Sequence, residues 1–279
     1  MSRKNGLDLF DYESIVENFK RIKPDVIINC ATHVGSVHYV AKHSADVFFD
    51  NTLMILNIYK ALKNNFHDTL IVNPIANCCY PSGPSTLIES DLFNGDVHHS
   101  VYGYGHTRRI LVSASKVFND QHDIKSHNII IPNAFGPGDS IDPNKTHALN
   151  GMIIRMIGSK IRREKEFVVW GSGKPIREWA YVDDIAEILI KSIGLIDSQI
   201  SPINFARAKG HSIVDSAKTI AKLLRYNGRV VFDDSYQDGS LLKVMDNSKF
   251  NKLFPNFEFI GHKQGIQNTI DYYKRILVT

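Results

Sequence analysis

The order of strand-like and helix-like segments predicts an α/β fold built on a doubly wound parallel sheet. Three observations carry this reading. Short runs rich in β-branched residues, DVIINC (Asp25–Cys30), TLIVN (Thr69–Asn73) and NIIIP (Asn128–Pro132), read as buried parallel strands. Segments with helical periodicity separate them and are long enough to act as crossovers, which implies right-handed βαβ units. No apolar run approaches the ~18–20 residues of a membrane span, so these runs belong to a core.

The elements follow in order. Asp11 can cap a helix whose apolar residues Ile15, Val16, Phe19 and Ile22 share one face, and Pro24 ends it. After the strand Asp25–Cys30 a second helix is predicted over Ser44–Leu62, with Phe48, Leu53, Leu56 and Tyr59 at apolar positions. The strand Thr69–Asn73 leads into Pro74–Gly95, whose Pro, Gly, Ser and Asn content reads as loop. A long helix over Tyr104–Asn119 precedes the strand Asn128–Pro132. Beyond FGPGDS (Phe135–Ser140) the pattern predicts a strand FVVW (Phe167–Trp170), a helix Val182–Ile193 with an acidic first turn, a helix Ile213–Leu224, a strand RVVF (Arg229–Phe232) and a terminal helix over Gly265–Leu277.

Composition narrows the function classes. The 279 residues are 43% hydrophobic and 22% charged, which is ordinary for a globular chain. Lys and Arg number 33 against 29 Asp and Glu, a net charge of +4, and the basic residues are scattered. A nucleic-acid surface is therefore not expected. The start, MSRKNGLDLFDYE, has no apolar stretch and does not read as a secretory leader. There are 3 cysteines, and Cys78 and Cys79 are adjacent, so neither a disulfide framework nor zinc spacing is expected. A soluble protein of a reducing, cytoplasmic compartment follows, with no metal site.

A doubly wound nucleotide-binding fold opens with a strand, a glycine-rich turn and a helix N-terminus that receives a pyrophosphate. No G-x-G-x-x-G stands near this start; the first glycines are Gly6 and Gly35. SRKNGLDL reads as the end of a second strand and its loop, so one strand–helix unit, about 30–40 residues, is expected to be missing. The organisation expected is a truncated dinucleotide-binding domain over 1–140 and a smaller substrate-binding α/β region over 141–279, with 178–208 returning to the first domain.

Four strings are informative: NCATHVGS (Asn29–Ser36), NPIANCCYP (Asn73–Pro81), IPNAFGPGD (Ile131–Asp139) and VVWGSGKPIREWAYVDD (Val168–Asp184). Together they resemble the loops of the extended short-chain dehydrogenase/reductase (NAD-dependent epimerase/dehydratase) family, and within it the GDP-L-fucose synthase group of NADPH-dependent 3,5-epimerase/4-reductases. The likeness runs over about Leu7–Leu277 and implies a Rossmann-like fold.

The resemblance also implies roles. The family reduces a ketone with a Ser or Thr and a Y-x-x-x-K pair on one helix face. Here the pair falls at Tyr104 and Arg108 and the serine falls at Ala76, which has no hydroxyl. Arg keeps the charge but not the compact ammonium. Cys78 matches the family's epimerisation cysteine and His147 its histidine, acid and base at the carbons beside the ketone. For the nucleotide sugar the resemblance implies Asn133, Arg155, Trp170, Arg177 and Lys243, arginine suiting diphosphate and tryptophan offering an apolar wall. Asp246 lies in the same late motif as Lys243. For cofactor it implies Arg3 and Lys4 near a 2′-phosphate, and Ala31, Tyr104 and Arg108, hence NADP(H) with NAD(H) as the alternative. Plainer readings stay beside these. Cys78 can be a small core residue. His147 can bond the local backbone, Arg177 can pair with Glu178 or Asp183, and Arg3 can belong to a frayed start.

Two functions follow. The first is an NADP(H)-dependent epimerase/reductase of a GDP-linked 4-keto-6-deoxyhexose, serving surface-polysaccharide synthesis as a cytoplasmic homodimer. The helix Tyr104–Asn119 and its residues Ile110, Val117 and Phe118 would form the dimer face. The second is a catalytically impaired paralogue that binds a nucleotide sugar without hydride transfer, suggested by Ala76, Arg108 and the missing glycine-rich turn.

Overall fold

The computed structural model describes residues 3–83, 86–143, 145–195, 201–236, 238 and 240–277. In chain order the elements are α1 (Tyr12–Ile22), β1 (Val26–Ile28), α2 (Val37–Lys42), α3 (Ser44–Asn65), β2 (Leu70–Ala76), α4 (Tyr102–His122), β3 (Ser126–Ile131), β4 (Asn133–Phe135), α5 (Ala148–Ile161), β5 (Glu166–Trp170), β6 (Ile176–Tyr181), α6 (Val182–Ser192), β7 (Ile203–Asn204), β8 (Gly210–Ser212), α7 (Ile213–Leu224), β9 (Arg229–Asp233), β10 (Leu242–Lys243), α8 (Ser248–Leu253) and α9 (His262–Leu277). The chain divides into two compact units. Unit 1 holds 1–81, 89–130 and 187–205; unit 2 holds 82–88, 131–186 and 206–279.

Unit 1 is a four-stranded sheet in the order β1-β2-β3-β7. β1 runs parallel to β2 with Ile27 opposite Ile71, and β3 runs parallel to β7 with Ile129 opposite Ile203. The Rossmann-like reading holds, since parallel neighbours are joined by helical crossovers. α1 begins where Asp11 accepts the Glu13 N–H at 3.0 Å and ends at Lys23 in the left-handed region, one residue before Pro24. A cap of this kind contributes about 1 kcal/mol. α3 packs on both α1 and α4. Ile15, Leu62, Ile71, Ile75 and Leu111 are among the fully buried side chains of this unit. Burying each stabilises by roughly 1.5–3 kcal/mol.

A buried polar knot pins the sheet of unit 1 to its helices. Tyr59 of α3 meets Ser115 of α4 at 2.7 Å and Ser126 of β3 at 3.1 Å. Asn73 of β2 donates to Tyr59 at 3.2 Å and to Asn128 of β3 at 3.1 Å. Every polar group here finds a partner, which is what makes such a network tolerable in a core.

Unit 2 contains the strand path β10-β6-β4, with β8 antiparallel on β6, and a separate parallel pair β5-β9. Its core gathers Leu149, Ile153 and Met156 of α5 with Ile220 of α7 and Ile266 and Ile270 of α9. The elements absent from the periodicity reading above include α5 and β6. α5 is ALNGMIIRMIGSKI, apolar on most sides and interrupted by glycine, so no clean stripe marks it. β6 is IREWAY, whose charged residues break the strand alternation because Glu178 is buried.

Candidate active site

In unit 1, β2 ends at the half-buried Ala76, and the chain turns at once through Asn77–Cys79, a single 3₁₀ turn bearing Cys78. The first turn of α4 lies against this turn because Gly105 faces it. A Cβ at 105 would stand 2.6 Å from the Cys78 carbonyl oxygen, closer than any side chain allows. Two turns of α4 then present the candidate redox pair. The Arg108 guanidinium stands 5.0 Å from the centre of the Tyr104 ring.

Arg108 is only 4% exposed, and its hydrogen bonds go to neutral oxygens. Nη2 donates to Asn51 Oδ1 at 3.0 Å and Nε to Thr107 Oγ1 at 3.3 Å. Burial raises the Tyr104 phenol pKa, while the Arg108 cation and the neighbouring Thr32 hydroxyl work the other way. Asn51, fully buried on α3, organises the loop after β1. Its Oδ1 also accepts from Thr32 Oγ1 and from the His33 N–H, each at 3.0 Å. Its Nδ2 donates to His33 O at 2.9 Å and Val47 O at 2.7 Å. His33 is held in turn between Asp50 at 2.7 Å and Tyr39 at 2.9 Å. Ala31, half-buried, begins this loop segment.

Near the start of the chain, Arg3 pairs with Asp8 at 3.1 Å and covers the Phe10 ring at 4.5 Å. Lys4 is exposed in the same short turn.

In unit 2, His147 immediately precedes α5 and bonds a carboxylate. Its Nδ1 lies 3.2 and 3.3 Å from the two oxygens of Asp139, and its N–H donates to Oδ2 at 3.0 Å. Asn150 Nδ2 donates to the same Oδ2 at 3.0 Å, and Tyr273 anchors the Asp139 carbonyl at 2.9 Å. Burial pushes the Asp139 pKa up, but the His147 ring, the His147 N–H and Asn150 outweigh it and hold the carboxyl down at about 2. The same hydrogen bond raises the His147 pKa, with burial opposing. An Nδ1–H donated to a carboxylate leaves Nε2 as the outward basic atom. The His147 side chain is 49% exposed.

A second cluster of unit 2 surrounds the turn after β5. Trp170 stacks on Tyr236 with ring centres 5.3 Å apart and planes 20° apart, the two residues 48% and 43% exposed. Arg155 of α5 lies 4.5 Å over Trp170 and donates to Val168 O at 3.2 Å. Gly171 and Gly173 turn the chain at φ +86° and +74°, where a side chain would be strained. Asp238 receives the Ser172 N–H at 3.0 Å and its hydroxyl at 2.5 Å. Arg177 of β6 pairs in register with Lys243 of β10 on one side and His211 of β8 on the other. Burial lowers the Arg177 pKa, and Asp238 partly restores it.

Glu178 does not serve Arg177 as an ion-pair partner of the kind the sequence allowed. Its carboxylate takes the backbone N–H groups of Arg207, Ala208 and Met245, at 2.5, 3.1 and 2.9 Å. Asn133 of β4 donates to the Glu178 carbonyl at 3.0 Å, which keeps β4 and β6 in step. Asp246 holds the next helix turn by accepting the Ser248 N–H at 2.9 Å.

Each unit thus brings its own predicted residues together: Cys78, Tyr104, Arg108 and Ala76 in unit 1, and Arg155, Trp170, Arg177 and Lys243 around the second cluster of unit 2. Thr32, Asn51, Gly105, Asp139 and Tyr236 were not singled out in the sequence. Gly105 lies in the Y-G-Y-G run, Thr32 in NCATHVGS and Asp139 at the end of IPNAFGPGD, and those strings were the signals that could have marked them. Among the described residues no group of three or more His, Cys, Asp or Glu side chains could hold a metal, and no helix is long and apolar enough to cross a membrane.

A parallel α/β sheet with a tyrosine and a cation one turn apart on a crossover helix defines the extended short-chain dehydrogenase/reductase class. Within it, the chain belongs to the NAD dependent epimerase/dehydratase family, which it matches over residues 3–205. It is 28% identical over 275 residues to a probable GDP-L-fucose synthase of Drosophila melanogaster, covering 95% of this chain and 85% of that one. It is 27% identical to GDP-L-fucose synthase of Escherichia coli, over 97% of this chain and 86% of the relative. The fold matches a GDP-L-fucose synthetase from Naegleria fowleri with a TM-score of 0.90 at 26% identity, covering 100% of this chain and 85% of that one. The same enzyme is also known bound to NADP, again with a TM-score of 0.90.

Proposed function

We propose that the chain is an NADP(H)-dependent epimerase/reductase acting on a GDP-linked 4-keto-6-deoxyhexose. Unit 1 is read as the dinucleotide half and unit 2 as the sugar half. The observation that carries the reading is the Asp139–His147 pair, an imidazole held in one tautomer with its outward nitrogen made more basic. A ketone acidifies the C–H bonds beside it, so a base of this kind can remove such a proton. Inversion also needs an acid to return one, the role given to the Cys78 thiol. Arg155, Arg177 and Lys243 supply cations for a diphosphate, and Trp170 with Tyr236 a flat wall for a base.

The residues present suit the nicotinamide ribose of NADP(H). Of the five N–H donors of a guanidinium, Arg108 spends two on Asn51 and Thr107, leaving three for ribose hydroxyls beside the Tyr104 phenol. Arg3 and Lys4 are the cations offered to a 2′-phosphate, and Arg3 must first leave Asp8. Bound NADPH would supply the hydride for C4. Tyr104 gives its phenol proton to the carbonyl oxygen, and Arg108 stabilises the phenolate left behind. The homologues' names support the GDP-sugar class. Surface-polysaccharide synthesis, a cytoplasmic location and a homodimer through α4 extend the same reading. Val117 is exposed on that helix, whereas Phe118 packs on Tyr59 at 5.2 Å.

Incubation with GDP-4-keto-6-deoxymannose in deuterated water, with and without NADPH, tests the proposal. Deuterium entering beside the ketone, lost in Cys78→Ser, supports proton exchange; exchange that is unchanged in that variant sinks it. A second reading rests on Ala76: without a hydroxyl there, the chain exchanges protons but reduces nothing. Deuterium uptake with no NADPH oxidation would establish that outcome.

A further inference from the structure

We infer that Thr32 supplies the hydroxyl that Ala76 lacks, positioning the Tyr104 phenol for proton transfer and taking over the place of the missing serine. The inference rests on the reduction reading above. Ala76 ends β2 with a methyl group, so the C-terminal end of that strand offers Tyr104 no side-chain donor at this position. The Thr32 hydroxyl, on the loop after β1, shares Asn51 Oδ1 with Arg108 Nη2, each at 3.0 Å, and the Arg108 guanidinium lies 5.0 Å from the centre of the Tyr104 ring. The same hydroxyl works to lower the phenol's pKa. Thr32 is exposed, while Arg108 and Asn51 are buried.

The hydrogen-bond count shows why this hydroxyl is available. Asn51 Oδ1 accepts from Thr32, from the His33 N–H and from Arg108 Nη2, all at 3.0 Å. An amide oxygen has two lone pairs, so three donors oversubscribe it. The His33 N–H is fixed by the backbone, and Arg108 is fixed by burial and by Thr107. Only the threonine can rotate its proton away at little cost. While Tyr104 is a phenol, the Thr32 proton rests on Asn51. When the phenol proton passes to the ketone oxygen, the Thr32 proton turns to the phenolate. Asn51 keeps two donors, and the new anion gains one beside the Arg108 cation. One proton moves from Tyr104 to the ketone oxygen, the hydride that bound NADPH would supply goes to the carbonyl carbon, and the phenolate regains its proton from solvent. One proton is consumed per turnover, and the Thr32 proton only reorients. Hydrogen bonds of this kind tighten when substrate arrives.

Two measurements test it. In chain labelled with [13Cζ]tyrosine, the Tyr104 resonance, assigned by its loss in Tyr104→Phe, is expected to shift in Thr32→Val and to return in Thr32→Ser. An unmoved resonance overturns the inference whether or not the chain turns over. In NADPH oxidation with GDP-4-keto-6-deoxymannose, Thr32→Val is expected to lower kcat roughly 100-fold with KM within about two-fold. Thr32→Ser is expected to keep most of the rate, and adding Ala76→Ser to Thr32→Val to restore it. A merely structural threonine would not be rescued from the neighbouring strand, so failure of that double variant to recover overturns the replacement. A wild-type chain that oxidises no NADPH defeats the reduction reading instead, and the resonance still decides whether Thr32 holds Tyr104.

Discussion

The polar clusters of the two units solve opposite electrostatic problems. In unit 1 the buried cation Arg108 is hydrogen-bonded to an amide and a hydroxyl, neither of which carries charge. In unit 2 the half-exposed His147 is bonded to a full carboxylate. A buried cation without charge compensation from those partners is costly to fold around, and it stabilises whatever anion forms beside it. A histidine that already has its anion gains basicity. The first arrangement suits a group that must become a phenolate. The second suits one that must accept a proton. Stability and reactivity are therefore traded in unit 1 and aligned in unit 2.

The sharpest way to break this contrast is to remove one reacting group from each side. Tyr104→Phe is expected to abolish NADPH oxidation, a loss of about 10²–10⁴-fold, while deuterium exchange beside the ketone persists. His147→Ala is expected to lower exchange by a similar factor while NADPH oxidation persists. Both activities falling together in either variant would show that the chemistry is not divided in this way.

Asp139→Asn sharpens the unit 2 side. Losing the carboxylate lowers the His147 pKa toward its usual 6.5, so the rise of exchange rate with pH is expected at lower pH than in the native chain. The stability consequence has a defined window. His147 has a raised folded pKa, so its contribution is complete below 6.5 and disappears as pH climbs through the folded value. Asp139 has a depressed one, so its contribution is complete above 3.8 and disappears as pH falls toward about 2. Denaturant melts of native and Asp139→Asn chains should differ most between those limits. A difference that is flat from pH 3 to pH 9 would discount the pair.

Gly105→Ala probes how tightly unit 1 is packed around the proposed Cys78 and Tyr104 chemistry. The methyl meets the Cys78 carbonyl oxygen, so the turn or the helix must shift. A cost of about 1–3 kcal/mol is expected in urea unfolding, together with loss of both Cys78 and Tyr104 activities. At the second cluster of unit 2, Trp170→Ala is expected to weaken GDP binding about ten-fold by calorimetry. Trp170 is half exposed, so the melting temperature should barely move. A large drop in stability there would instead assign Trp170 to the core.

How much of this was readable in sequence differs between the same two regions. α1 showed itself through apolar spacing and its capping residue Asp11, and α7 was also read as a helix over its observed range. α5 and β6 did not, because one is apolar nearly all round and the other buries a glutamate. Among site residues, Cys78 and Trp170 were legible inside contiguous strings, and Tyr104 and Arg108 through their spacing of four. Their partners were not, because tertiary folding supplies them. Arg108 and Asn51 are 57 positions apart, and Thr32 lies 19 before Asn51. No local period links such positions. Asp139, eight residues from His147, is nearer, yet only the bend before α5 brings its carboxylate to the ring.

The smallest expected effect concerns the start of unit 1. Arg3 was assigned to a 2′-phosphate, but its guanidinium is already 3.1 Å from Asp8 and rests on Phe10. Both partners of that ion pair are substantially exposed, 62% and 42%, so breaking it costs at most about 1 kcal/mol. A phosphate dianion can outcompete a single carboxylate for the arginine, at the expense of that small term. Arg3→Ala should therefore weaken NADPH by only a few-fold and leave NADH unchanged, because NADH has no 2′-phosphate to lose. Asp8→Ala should tighten NADPH by a similar factor, since it releases Arg3 beforehand. Parallel NADPH and NADH titrations of the three chains by calorimetry read both signs. If Arg3→Ala weakens the two cofactors equally, Arg3 supports the fold of its turn and discriminates nothing, and the 2′-phosphate role passes to Lys4, where Lys4→Ala would show it.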